Sequence, residues 1–337
     1  MKNKILQSVS RFNLNLQGKI VLTEAATGNF VVTPVIAAVA GATIYAFTKD
    51  SKYGDINEVK KQTMELAREL QVSEKIDVIT NIDELELHNI DIVTNSGFLR
   101  PINREFINKL SSDCVIPLMW EPWEYRKNEL DLDACRKKGI KVYGTNENDP
   151  KLKTIEYLGP ITKNLLNEHN VIPRHGKVLL VGSKKFVSPV ETYLRNHFYD
   201  LQTYTDYNKK IDPNSIKSYS AIVLLEHERD DLIIGRNNAL INLQSIDRNT
   251  FVIHISGNVN LDGGEFDFIP EQPASFGHMS YTTDYLDNSA VIDLHTAGLK
   301  VAEGMLQANS LCLEGEEYKD FLERDYYALA FNDPKYQ

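Results

Sequence analysis

One stretch limits the fold more than any other: Lys177-Val-Leu-Leu-Val-Gly182-Ser-Lys-Lys-Phe-Val-Ser188-Pro189-Val-Glu191. Lys177 to Val181 is a short apolar run, as a parallel strand buried on both faces requires. Gly182 allows a sharp turn. Ser188, Pro189 and Glu191 read as a helix start, with a hydroxyl N-cap, proline at the first helical position and a carboxylate closing a capping box. A second strand, Leu201 to Thr205, ends at Asp206. Strand, loop, helix and strand, with an acid at the end, is the layout of a dinucleotide-binding unit, whose helix N-terminus faces a pyrophosphate. The loop departs from the glycine fingerprint of such units. Lys184 and Val187 stand where a G-x-G-x-x-G run starting at Gly182 needs its next two glycines. Lys184 and Lys185, beside Ser183, supply charge for a phosphate instead.

The same layout is read near the start of the chain. Gly18 to Leu22 is a strand, Thr23 to Asn29 a loop, Thr33-Pro34 opens a helix that ends near Gly41, and Thr43 to Phe47 is the next strand. Phe30-Val-Val-Thr-Pro-Val35 parallels Phe186-Val-Ser-Pro-Val190. Two α/β domains of related design and a chance likeness between two such units both stay open. Strands and helices alternate along most of the chain, with a helix or helical turn expected at Asn238 to Leu243 and a long helix at Val291 to Gln307. Gly144 to Lys151, with Asn146, Asn148, Asp149 and Pro150, has the composition of a linker. The expected division is therefore 1–149 plus 290–337 as a substrate or cap domain, and 150–289 as a Rossmann-like dinucleotide-binding domain. Both have parallel sheets, the first flavodoxin-like, with a cleft between them.

Composition narrows the function. With 337 residues, two domains are the default expectation. A net charge of −10 argues against a nucleic-acid surface, which needs a basic footprint. Cys114, Cys135 and Cys312 form no C-x-x-C pattern, which fits a reducing cytoplasm and offers no metal site. The apolar stretch Phe30 to Phe47 is broken by Pro34, Gly41 and Thr43, so a buried helix and strand are expected rather than a membrane span.

Open α/β sheets bind ligands at the carboxyl ends of their strands. Glu24, Thr27 and Gly28, in the first βα loop, are candidates on that ground. His227 and His254 follow apolar strands, where a structural role is the commoner one. Trp120-Glu-Pro-Trp-Glu-Tyr125 suits packing in a core or interface, or a ring-bearing ligand.

Several stretches, in order, resemble the D-isomer-specific 2-hydroxyacid dehydrogenase family. Asn128-Glu-Leu-Asp-Leu-Asp-Ala-Cys-Arg-Lys-Lys-Gly-Ile140 is similar to its D-N-I-D-x-x-A-x-x-x-G-I segment. Ala239-Leu-Ile-Asn242 through Phe251-Val-Ile-His-Ile-Ser256 is similar to its L-I-N…G-A-x-L-I-N-x-S segment. Gly277-His-Met-Ser-Tyr-Thr282 resembles the segment carrying the family's catalytic histidine.

The resemblance covers roughly residues 75 to 285 and implies a diverged member. It implies an NAD(P)-dependent oxidoreductase acting on a small or sugar-derived acid, with NAD or NADP as cofactor and a homodimer as one allowed assembly. His278 is then the acid/base and Glu271 the nearest carboxylate to orient it. Gly182, Ser183, Lys184, Lys185, Asp206, His227, Ser256 and Gly257 fall on the cofactor side. Asn95, Ser96, Gly97 and Arg100 resemble the substrate loop. The family's S-R-G arginine is missing, because Ser256-Gly-Asn258 stands there. A non-redox member binding another nucleotide or phosphorylated ligand (a lyase, transferase or sensor) and a scaffold protein are the alternative readings.

Overall fold

The computed structural model describes residues 1–149, 151–152, 154–174, 176–208, 211–282 and 285–331. The chain divides into two compact units, Met1–Leu152 with Asn288–Gln337, and Lys153–Asp287.

Unit 1 is built on one sheet. Its strands are β1 (Ile20–Glu24), β2 (Thr43–Phe47), β3 (Ile76–Ile79), β4 (Ile92–Val93), β5 (Val115–Pro117) and β6 (Lys141–Thr145). They pair in parallel in the order 3-2-1-4-5-6, the order of a doubly wound Rossmann-like sheet. The helices are α1 (Lys2–Arg11), α2 (Val32–Val39), α3 (Ile56–Glu69), α4 (Arg104–Lys109) and α5 (Leu132–Lys138). Local chemistry sets several helix starts. Asp55, Asn103 and Asp131 each accept a hydrogen bond from a first-turn N–H of α3, α4 and α5. Gly139, at φ +83°, closes α5 in the left-handed conformation that glycine adopts without strain.

Unit 2 holds β7 (Lys177–Gly182), β8 (Asp200–Tyr204), β9 (Ala221–Leu225), β12 (Phe251–Ser256) and β14 (Phe268–Ile269), parallel in the order 8-7-9-12-14. A small parallel sheet of β10 (Leu232–Gly235), β11 (Ile241–Asn242) and β13 (Asn258–Val259) lies beside it. Its helices are α6 (Leu158–Glu168), α7 (Lys184–Asn196) and the single turn α8 (Pro213–Ile216). The chain then returns to unit 1 as α9 (Ser289–Ser310) and α10 (Gly315–Asp325), and ends the described fold in β15 (Ala328–Leu329), antiparallel to β6. Val291, Ile292, Leu299, Val301, Ala302 and Met305 of α9 lie in the same core as α2.

The likeness between the two βαβ starts extends to their pairing. Ile20 lies opposite Thr43, and Lys177 opposite Asp200, at equal chain separation. The stretch Phe30 to Phe47 is a helical turn (Gly28–Val31), α2 and β2. Among the described residues no helix is long and apolar enough to cross a membrane.

Three expectations are corrected. The helix after β7 starts at Lys184 with Ser183 as N-cap, so Ser188, Pro189 and Glu191 lie inside it. Glu191 binds Arg195 one turn on at 2.7 Å instead of closing a capping box. The reason lies in Gly182, where a Cβ would stand 2.2 Å from the Leu225 carbonyl oxygen of β9. The strand thus packs so closely that the helix follows after one residue. Asn238 to Leu243 forms β11 and the start of a short helical turn at Leu243–Ser245 rather than a helix. Gly144 and Thr145, expected in a linker, complete β6, while Pro150 of that stretch lies outside the described residues.

Candidate functional site

In unit 1, the strand order reverses between β1 and β4, and their carboxyl ends carry the polar side chains. β1 ends in Glu24, which is 9% exposed. Its Oε2 accepts the Phe98 N–H at 3.0 Å. Burial raises the Glu24 pKa, opposed by that hydrogen bond and by the charge of Arg100. Gly97 lies against the carboxyl, where a Cβ would come within 1.5 Å of Oε2. After β4, Thr94 donates to Thr23 at 2.8 Å and contacts Ser96 Oγ at 2.8 Å. Asn95 and Ser96 are buried.

Arg100 is engaged by the protein on every side. Its guanidinium donates to Asn95 Oδ1 and the Asn95 carbonyl, pairs with Glu129 at 3.1 Å and stacks 4.3 Å from the Trp120 ring centre. It therefore braces the loop and is poorly placed to hold a ligand anion. In the first βα loop, Thr27 donates to the Tyr53 carbonyl, and Gly28 N–H to Gln62. The aromatic stretch is anchored by buried Glu121, which accepts from Trp123 Nε1 at 2.6 Å and Asn148 Nδ2 at 2.8 Å.

In unit 2, the ends of β7, β9 and β12 come together. Ser183, the N-cap of α7, is buried, and among the described residues its hydroxyl has no hydrogen-bond partner. Lys184 is exposed at the first turn, while Val187, on a fingerprint glycine position, is buried in the core. His227 follows β9. Its Nε2 meets Ser256 Oγ at 2.7 Å and its ring lies 4.1 Å from that of Phe186. Burial, then Lys185, then His254 push its pKa down to about 3, so it is neutral. His254 donates from Nε2 to the Gly257 carbonyl at 2.9 Å, which leaves Nδ1 to accept from Ser280 Oγ at 2.7 Å. Gly257 has φ +132°. Asp206 lies two residues beyond β8.

His278 is exposed, in a turn tied to β12 through Ser280 N–H and the Ile255 carbonyl. Glu271 is exposed on the wall of an open cavity of about 690 Å³ that Phe268, Phe276, Gly257 and Asn258 also line. Glu271 makes no hydrogen bond or ion pair among the described residues, so it does not orient His278.

Two buried groups were not anticipated from the sequence. Glu226, 0% exposed, receives the N–H groups of Glu228 and Arg229 and the Tyr207 hydroxyl. Its signal was available, because an acid directly after the apolar run Ala221 to Leu225 stands at a strand end, as Glu24 does in β1. His295, in the middle of α9, bonds Thr33 through Nδ1 at 2.5 Å. Burial lowers its pKa to about 4. Nothing in an apolar helix pattern flags such a residue.

Neither a protein-family model nor a curated protein sequence matches this chain. Solved structures do match. A dipicolinate synthase subunit from Bacillus halodurans superposes with a TM-score of 0.54 at 12% identity, covering 87% of this chain and 98% of that one. The two proteins share a fold. The corresponding dipicolinate synthase chain from Bacillus subtilis gives the same TM-score at 10% identity, over 88% and 99% of the two chains. A D-isomer-specific 2-hydroxyacid dehydrogenase from Lactobacillus delbrueckii ssp. bulgaricus, in an NAD-complexed form, matches at 12% identity over 88% and 99%, with a TM-score of 0.48. At these identities the likeness to the two dipicolinate synthase chains shows a shared fold and nothing finer.

Proposed function

We propose that the chain is an NAD(P)-dependent oxidoreductase of the 2-hydroxyacid dehydrogenase type, acting on a small or sugar-derived acid. In this reading unit 2 takes the dinucleotide and unit 1 the acid. One observation carries it: β7 passes through Gly182 straight into α7 and returns as the parallel neighbour β8, followed by Asp206. The fit to a dinucleotide phosphate is supported by Ser183, whose buried hydroxyl at the first turn of α7 lacks a partner among the described residues. The first N–H groups of a helix have no acceptor within it and suit an anion. Lys184 adds positive charge, and Asp206 is the acceptor for a ribose hydroxyl.

The dinucleotide, when bound, exchanges a hydride with the substrate carbon. His278, exposed in its turn, is the residue assigned to the substrate proton. The test is nicotinamide fluorescence with NADH and NADPH, followed by turnover of 2-oxoacids. We expect saturable binding of one cofactor, and at least a roughly hundredfold lower turnover in His278→Ala. Absence of binding of either cofactor at millimolar concentration would reject the reading.

A non-redox reading draws support from Glu271, which has no partner among the described residues, and from Val187 in place of a loop glycine. It predicts that a different nucleotide, and neither NADH nor NADPH, raises the melting temperature.

A further inference from the structure

Unit 1 carries an arrangement around Phe98, just after β4, that the brace made by Arg100 does not use. The Phe98 N–H holds Glu24 Oε2 at 3.0 Å. The Phe98 ring lies under Lys49 Nζ, 5.4 Å from the ring centre. Lys49 follows the end of β2 and is exposed, and among the described residues it makes no ion pair. Glu24 is about nine-tenths buried, yet its Oε1 takes no hydrogen bond among the described residues. An ammonium and a carboxyl oxygen therefore flank one aromatic residue without pairing to each other. Exposed Gly97 adds room, since any side chain there would displace the Glu24 carboxyl.

We propose that Lys49 and Glu24 are the recognition pair of unit 1 for a small 2-hydroxy carboxylic acid, Lys49 taking the carboxylate and Glu24 Oε1 the adjacent hydroxyl. This rests on the reading above for placing the acid on unit 1. It names a cation for the acid that Arg100, held by Asn95 and Glu129, cannot supply. The phenyl face holds the ammonium beside the site through its negative quadrupole. Glu24 is fixed by the Phe98 N–H, and its burial makes the free oxygen a stronger acceptor for a hydroxyl proton. Two such contacts distinguish a 2-hydroxy acid from a plain carboxylate. Simple desolvation of an apolar chain does not.

The test is calorimetric titration of the full chain with glycolate, gluconate and acetate. At least one hydroxy acid binds saturably, and acetate binds about tenfold more weakly. Lys49→Ala weakens the hydroxy acid about tenfold or more, as loss of a charged contact does, while Lys49→Arg retains it. Glu24→Gln reduces the preference for the hydroxy acid over acetate. Lys49 is at the surface, so unchanged circular dichroism of the alanine variant is expected. Wild-type-like binding by Lys49→Ala, or saturable binding of neither hydroxy acid, overturns the pair. NADH fluorescence on the same samples separates the two ideas. NADH binding without a Lys49 effect removes this inference alone. Lys49-dependent acid binding without NADH binding removes the redox reading alone and supports the pair.

Discussion

Burial fixes the protonation of His227 and His295, and with it an acid limit to stability. Their folded pKa values are pushed down to about 3 and about 4, whereas an unfolded histidine titrates near about 6.5. Below about pH 6.5 the unfolded chain therefore binds more protons than the folded one, and stability falls as pH falls. The loss continues until the folded-state pKa is reached. For His295 the window is about pH 6.5 to 4, with a limiting slope of about 1.4 kcal/mol per pH unit. Urea titrations across this range should show a shallower pH dependence for His295→Gln than for the parent chain. An unchanged slope would mean that His295 is protonated without penalty. At this scale the sequence exposes Glu24 and Gly182, because each sits next to a strand end. It conceals Lys49 and His295, whose environments are made by Phe98 and Thr33, residues far away in the chain.

The element with the clearest internal conflict is α7, where Pro189 sits in the sixth helical position. An interior proline forfeits a hydrogen bond and crowds the carbonyl four residues back, at a cost of about 3 kcal/mol. Pro189→Ala should raise stability by about 1 kcal/mol or more in urea unfolding. A loss instead would show that the shape imposed by proline is needed to seat Val190 and Leu194 in the core. The conflict explains the displaced helix start in the sequence reading. Ser-Pro-x-Glu is a strong local start signal, but close packing of Gly182 on β9 forces the helix to begin earlier. Strand existence was legible because apolar runs such as Ala221 to Leu225 are buried on both faces. The segment Asn238 to Leu243 was not, because its two-residue strand β11 is fixed by parallel pairing with β10, Ile241 opposite Ile234, and not by a periodicity of its own.

The whole molecule is completed only when the chain returns to unit 1. Truncation after Asp287 would remove α9, α10 and β15, and strip the core residues of α9 from α2 and the sheet. Exposure on that scale is incompatible with a stability of only about 5–15 kcal/mol. The truncated chain should be insoluble or lack cooperative unfolding of unit 1, as judged by calorimetry. A cooperative unit 1 transition in that variant would refute the role given to α9. The sequence by itself determined the alternating α/β architecture and the paired βαβ starts, because hydrophobic periodicity and turn residues act over a few positions. It also placed Glu24, Gly182 and Asp206 at or next to strand ends. Only the tertiary structure decided that Arg100 is a brace, that Glu271 stands apart from His278, and that Lys49 lies over Phe98. Side-chain partnership depends on which strand lies beside which, and that is set by packing across the whole sheet.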